Sequence, residues 1–187
     1  LFSFAIGPNA EALRTFSAGF LWLGLLLSST LTLADSFHAE SENRALEGLL
    51  LAGASPQALY YGKAVANWIQ LTLLGIALTP VMVVLYDAGT LRLAMLLAII
   101  VLGAAGISAM GTLYAAMTAQ IRARQTLLPL LLFPLIVPVL LASVKATSLI
   151  ILGDPMGQVQ SWVGLLVAFN AIYWSLCGLL FDRVVEE

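Results

Sequence analysis

The apolar positions of this chain run together in long blocks instead of alternating or recurring as a narrow stripe. Charged residues bound uncharged gaps at 16–34, 64–86, 93–121, 125–144 and 155–181. Each gap reaches or approaches the roughly 20 residues that an α-helix needs to cross hydrocarbon. A spanning segment must satisfy its own backbone polar groups, so blocks of this length predict helices. After a loop at 7–15, the first whole span runs from about Phe16 to Ala34, with Trp22 in its outer half. A longer helix is predicted from Pro56 to Tyr86, because Ser55 suits an N-cap and Pro56 the first helical position. Its surplus turns, with Tyr60, Tyr61 and Lys63, are expected at the water interface.

Further spans are predicted from Leu91 to Ala119, Thr126 to Ser143 and Ser161 to Phe181. The connections at 87–90 and 120–125 are short, which makes their flanking helices antiparallel neighbours. Pro129, Pro134 and Pro138 each remove a backbone donor, so the span that holds them is expected to be bent or interrupted. A second long loop is expected at 145–160, with a short apolar helix lying on or dipping into the surface. At the start, Leu1 to Ile6 running into Gly7-Pro8-Asn9 reads as the tail of a helix that begins upstream. The expected architecture is an all-α polytopic membrane bundle over 1–187. It has five complete spans and the end of a truncated first one, six in the full protein.

Composition sharpens the class. The chain is 61% hydrophobic, with 8 basic and 10 acidic side chains and a mean hydropathy of +1.00. That excludes a soluble enzyme, and a net charge of −2 with scattered basic residues excludes a nucleic-acid partner. Arg44, Lys63, Arg122, Arg124 and Arg183 fall on one side of the predicted spans, and Arg14, Arg92 and Lys145 on the other. The positive-inside bias therefore puts loop 35–63 and the C-terminus in the cytoplasm. That loop carries Leu46, Leu49 and Leu50 at helical spacing, one apolar face on a short amphipathic helix.

Little in the spans offers chemistry. Gly164, Ala168, Ala171, Ser175 and Gly178 form a stripe of small residues on the last span, suited to helix packing or a subunit interface. Ala104, Ser108, Thr112 and Ala115 form a second stripe, with Gly103 and Gly111 beside it. Ordinary packing within the chain is the preferred account of both. Asn67, Gln70 and Asn170 are expected to bond between helices. The predicted span interiors hold no ionisable acid, base or histidine, which demotes an autonomous pump. Gly106-Ile107-Ser108 lacks a histidine within reach, since His38, the one histidine, is in the loop. Gly62-Lys63 ends no Walker A loop, because Gln57 and Ala64 stand where Gly and Ser or Thr are needed. No catalytic, cofactor or metal site is read, Cys177 has no partner for a disulfide, and any energised work needs ATP hydrolysis in a partner chain.

The run from Arg44 to Pro56, followed by Gly62-Lys63, resembles the cytoplasmic segment of ABC-2 type exporter permeases. More closely, the chain resembles the CcmB family, the haem exporter permeases of the cytochrome c maturation system. The matching pieces are Ile6-Gly7-Pro8, Leu26-Leu27-Ser28-Ser29, Phe37, Leu46-Glu47, Lys63, the Pro129 to Pro138 run and the ending from Phe181 to Glu187. Where the family has Leu-Glu-Arg, this chain has Leu33-Ala34-Asp35. The resemblance implies an ABC-2 permease fold in the bacterial inner membrane, working with an ABC ATPase, haem-handling membrane subunits and a second copy of itself. Haem is then substrate rather than bound cofactor, and ATP acts through the partner. Arg44, Leu46, Glu47, Leu49 and Leu50 are implied to couple the ATPase to the bundle. Whether haem crosses or a haem-chaperone complex is remodelled stays open, with the second favoured because no pair of axial ligands is poised on both faces. Other readings are an ABC-2 permease for polysaccharide, lipid or drug, and a non-transporting membrane scaffold.

Overall fold

The computed structural model describes residues 10–36, 55–86, 93–118 and 124–186, and all of its regular structure there is helical. Five helices follow in order: α1 (Ala10–Ser36), α2 (Pro56–Tyr86), α3 (Leu93–Thr118), α4 (Arg124–Leu152) and α5 (Val159–Glu186). Each contains a stretch long and apolar enough to cross a membrane. The predicted bounds of α2 match to the residue at both ends. Its start is fixed by the Ser55 Oγ, which accepts the Ala58 N–H at 3.3 Å, while Pro56 needs no N–H partner.

The packing has a centre. α3 touches the other four helices, which form a ring around it in the order α1, α2, α5, α4. Accordingly 61% of the α3 span is buried, against 22–39% in the rest. Small residues make this possible. Ala104, Ser108, Thr112 and Ala115 are all buried, so the second stripe does pack within the chain. Side chains from the ring fill the space that the α3 glycines leave: Trp22 lies over Gly103, Val139 over Gly106 and Leu33 over Gly111. Trp22 also donates from Nε1 to Thr147 Oγ1 at 3.0 Å, joining α1 to α4. On the outside, Leu27, Leu31, Leu73, Val84, Leu130 and Leu179 are among the exposed apolar side chains. In water such a surface would drive association, whereas in a bilayer it meets hydrocarbon at no cost.

Four expectations need correction. α1 begins at Ala10, so the loop predicted at 7–15 is already helical from there. α4 runs unbroken from Arg124 to Leu152 through all three prolines, so that span is not interrupted. The Tyr173 hydroxyl of α5 donates at 2.9 Å to the Leu135 carbonyl in this stretch, tying α5 to α4 between two of the prolines. Because α4 extends so far, the long loop at 145–160 shrinks to a turn at 153–158. Lys145 therefore stands on a span, contrary to the expectation that span interiors hold no ionisable group. Tyr60, near the start of α2, is fully buried against other helices, whereas Tyr61 is exposed.

The α4–α5 turn is closed by local chemistry. Gly153 adopts a φ of 104° and its N–H reaches the Leu149 carbonyl at 3.0 Å, ending α4 with a left-handed residue. The Asp154 carboxylate accepts the Gln158 N–H at 2.8 Å and the Val159 N–H at 2.9 Å, satisfying donors at the start of α5. At the same end, Arg14 of α1 donates to the Ile151 carbonyl at 3.0 Å, where the α4 terminus leaves acceptors free.

A Cβ at Gly103 would overlap the Trp22 ring and crowd Ser143 Oγ, while one at Gly24 would meet nothing within 4 Å. Gly103→Ala is expected to destabilise by about 1–3 kcal/mol through overpacking. Gly24→Ala should leave stability unchanged or raise it by up to about 1 kcal/mol through helix propensity. Thermal unfolding of the two variants in detergent measures the contrast, and equal midpoints would contradict the close packing on α3.

Candidate functional site

Several contacts show which helix ends lie together. Leu33 near the end of α1 packs on Gly111, Tyr60 near the start of α2 bonds the Ala109 carbonyl, and Phe181 near the end of α5 lies 5.5 Å from the Tyr60 ring. These residues define one end of the bundle, opposite the α4–α5 turn. The predicted loop 35–63 falls at that end, although residues 35–36 and 56–63 belong to α1 and α2. Arg44, Leu46, Glu47, Leu49 and Leu50 lie outside the described residues, as does His38. The described residues at that end are the end of α1, the start of α2 and the end of α5.

The first half of α2 is held there by an unusual density of bonds to its neighbours. Tyr60 Oη donates to the Ala109 carbonyl at 3.1 Å and Tyr61 Oη to the Trp174 carbonyl at 3.2 Å. Ser108 Oγ of α3 donates to the Ala64 carbonyl at 2.6 Å. Asn67 Nδ2 donates to Thr112 Oγ1 at 3.0 Å, and Trp68 Nε1 to the Val101 carbonyl at 2.9 Å. In hydrocarbon each such bond is worth about 0.6 kcal/mol on average, and five within three turns fix both the rotation and the height of α2.

Aromatic packing extends this clamp to α5. The Tyr61 ring stacks on Trp174, with centroids 6.2 Å apart and planes within 9°, and Trp68 meets Trp174 edge-on at 6.2 Å. A Cβ at Gly178 would overlap the Tyr61 hydroxyl, so this glycine lets the ring approach α5. Cys177 is buried beside it, with its sulfur 3.5 Å from Met110 Sδ. Among the described residues no group of three or more His, Cys, Asp or Glu side chains converges, and the cluster is apolar packing around satisfied hydroxyls.

The remaining candidates separate cleanly. Asn67 bonds between helices as expected, and so does Asn170, whose Nδ2 reaches the Leu102 carbonyl at 2.9 Å. Gln70 instead lies on the exposed face of α2. Ser108 is fully buried and committed to the Ala64 carbonyl, which leaves it no role as a nucleophile. Of the α5 stripe, only Gly178 is buried within the chain. Gly164, Ala168, Ala171 and Ser175 are exposed, so the preferred account of packing inside the chain fails for them. Pro134 and Pro138 sit within α4, with Pro134 exposed; Pro129 belongs to the same helix.

The clamp is not legible in the sequence. Its partners are 33 to 113 positions apart along the chain, and carbonyl acceptors carry no residue signature. The one available signal is the coincidence of Tyr60, Tyr61, Asn67 and Trp68 on the opening turns of a spanning helix, and by pattern alone the tyrosines read as an interface belt.

Comparison with known proteins covers both the bundle and the loop. The family model described as CcmB protein matches residues 1–182. Heme exporter protein B of Pseudomonas aeruginosa is 29% identical over 168 residues, covering 90% of this chain and 75% of the relative. The protein of that name from Rhodobacter capsulatus is 35% identical over 141 residues, covering 75% and 65%. That of Bradyrhizobium diazoefficiens is 29% identical over 185 residues, covering 99% and 78%. With a family model matched along nearly its whole length, over five apolar helices, the chain belongs to the CcmB family.

Proposed function

We propose that this chain is the membrane permease component of an ABC-type system that exports haem, or releases a haem chaperone, for maturation of c-type cytochromes. The observation that carries the reading is the CcmB match over residues 1–182, alongside relatives named heme exporter protein B. The permease is non-catalytic, and a separate ATPase drives it. It lies in the bacterial inner membrane with its C-terminus and loop 35–63 in the cytoplasm, following the bias of Lys and Arg. Haem-handling membrane subunits receive or supply the cargo.

The mechanism follows from the way α2 is seated. Closure of the ATPase pushes on the segment around Arg44 to Leu50, with Leu46, Leu49 and Leu50 in an apolar groove and Arg44 and Glu47 at its polar rim. The displacement enters α2 at Ser55-Pro56. Because the first half of α2 is bonded to α3 and α5, it cannot slide alone, and the push becomes a rigid-body movement of three helices. The open stripe at Gly164, Ala168, Ala171 and Ser175 offers a close-approach surface for a second copy of the chain.

Two measurements test this. The full-length protein is purified with its ATPase, with and without haem-handling subunits, and ATP turnover is compared with that of Glu47→Ala/Leu49→Asp. Placing an unpaired charge in an apolar groove costs several kcal/mol, so coupled turnover is expected to fall tenfold or more while membrane insertion persists. Failure of the wild type to associate with the ATPase, or unchanged turnover in the variant, would sink the coupling role. Secondly, Ser108→Ala combined with Asn67→Leu removes two bonds between α2 and α3. Their combined loss is expected to lower stability by roughly 1–3 kcal/mol and to reduce coupled turnover without releasing the ATPase. Thermal unfolding and turnover of the same preparation read both effects.

A further inference from the structure

Lys145 is an exposed cation on a membrane-spanning helix. A shallow, wide-open groove lies beside it, lined by Val137, Leu140, Leu141, Val144 and Lys145 itself. The lining is otherwise aliphatic and comes from one helix. Val137 and Leu141 lie on the same outward face two turns and one turn before the lysine and are half exposed. Among the described residues, no ion pair engages the Lys145 ammonium.

The depth of the lysine follows from the packing. Gly106 of α3 meets Val139 of α4 near the middle of both spans. Lys145 is roughly six residues further along, a rise of about 9 Å. Half of a bilayer's hydrocarbon core is about 15 Å, so the Lys145 Cα lies about 6 Å below the headgroups. An extended lysine side chain covers that distance, with its stem along apolar surface and its ammonium at the level of lipid phosphates.

We infer that Lys145 and the groove formed by Val137, Leu140, Leu141 and Val144 bind an anionic phospholipid, its phosphate on the ammonium and one acyl chain along α4. Charge complementarity selects the headgroup, and the aliphatic lining selects the chain. An acidic residue on a partner's helix is the competing occupant. The lipid is favoured because the lining offers no polar group that would orient a carboxylate, and because outward faces of spans meet acyl chains by default.

Native mass spectrometry of the full-length protein, delipidated and then supplied with phosphatidylglycerol or phosphatidylcholine of matched chains, tests this. The wild type is expected to retain about fivefold more phosphatidylglycerol, the factor one basic residue near the membrane surface provides. Lys145→Gln should abolish the preference while leaving stability intact, Lys145→Arg should restore it, and Leu141→Trp should reduce retention of both lipids by filling the groove. Equal retention by the wild type, or a preference that survives Lys145→Gln, would overturn the proposal. So would competition by soluble glycerol phosphate as strong as that by the lipid, since the groove would then contribute nothing. Release of a partner chain by Lys145→Glu, with no lipid preference in the wild type, would assign the lysine to a protein contact instead.

Discussion

Close approach to α3 is the constraint on which the rest of this structure depends. Lipid supplies no hydrophobic drive between helices, so the bundle is held by van der Waals fit and by bonds whose donors and acceptors come within reach only when backbones are near. Gly103, Gly106 and Gly111 clear that space, and Trp22, Val139 and Leu33 fill it. The carbonyls of Val101, Leu102 and Ala109 become acceptors for side chains on α2 and α5 for the same reason. A bulkier α3 would separate the ring helices and leave those donors without partners.

The two ends of the bundle solve different problems. At the α4–α5 end, short-range chemistry suffices: a left-handed glycine, one carboxylate taking two N–H groups, and an arginine on a helix terminus. At the loop end the α1–α2 connection is much the longest of the four, and long-range bonds between helices take over. The functional reading places the moving partner at that second end. Order at that end comes from tertiary contacts, the bonds that hold the first half of α2 to α3 and α5.

How much is legible in the sequence depends on whether the deciding physics is local. α2 can be bounded correctly because capping chemistry acts over a few residues at Ser55-Pro56. The buried stripe on α3 is legible because helical period and residue size are both written in the chain. α4 is misjudged twice for related reasons. Lys145 reads as the edge of an apolar block, yet a flexible side chain lets a charge ride on a spanning helix. Pro129, Pro134 and Pro138 read as a bend or an interruption, yet each removes a single donor and the helix runs on through all three. The clamp on α2 is invisible because its acceptors are mostly backbone carbonyls of distant residues. On α5, spacing identifies a small-residue face but cannot say which way it points, and the fold turns most of it outward.

The bond from Arg14 to the Ile151 carbonyl has a mechanical consequence. It ties the beginning of α1 to the end of α4 beside the rigid turn into α5, so three of the five helices share one fastened corner. Under the proposed reading, a load entering at the opposite end reaches this corner only through the length of the helices, so the corner is the natural anchor against which the rest of the bundle is pushed.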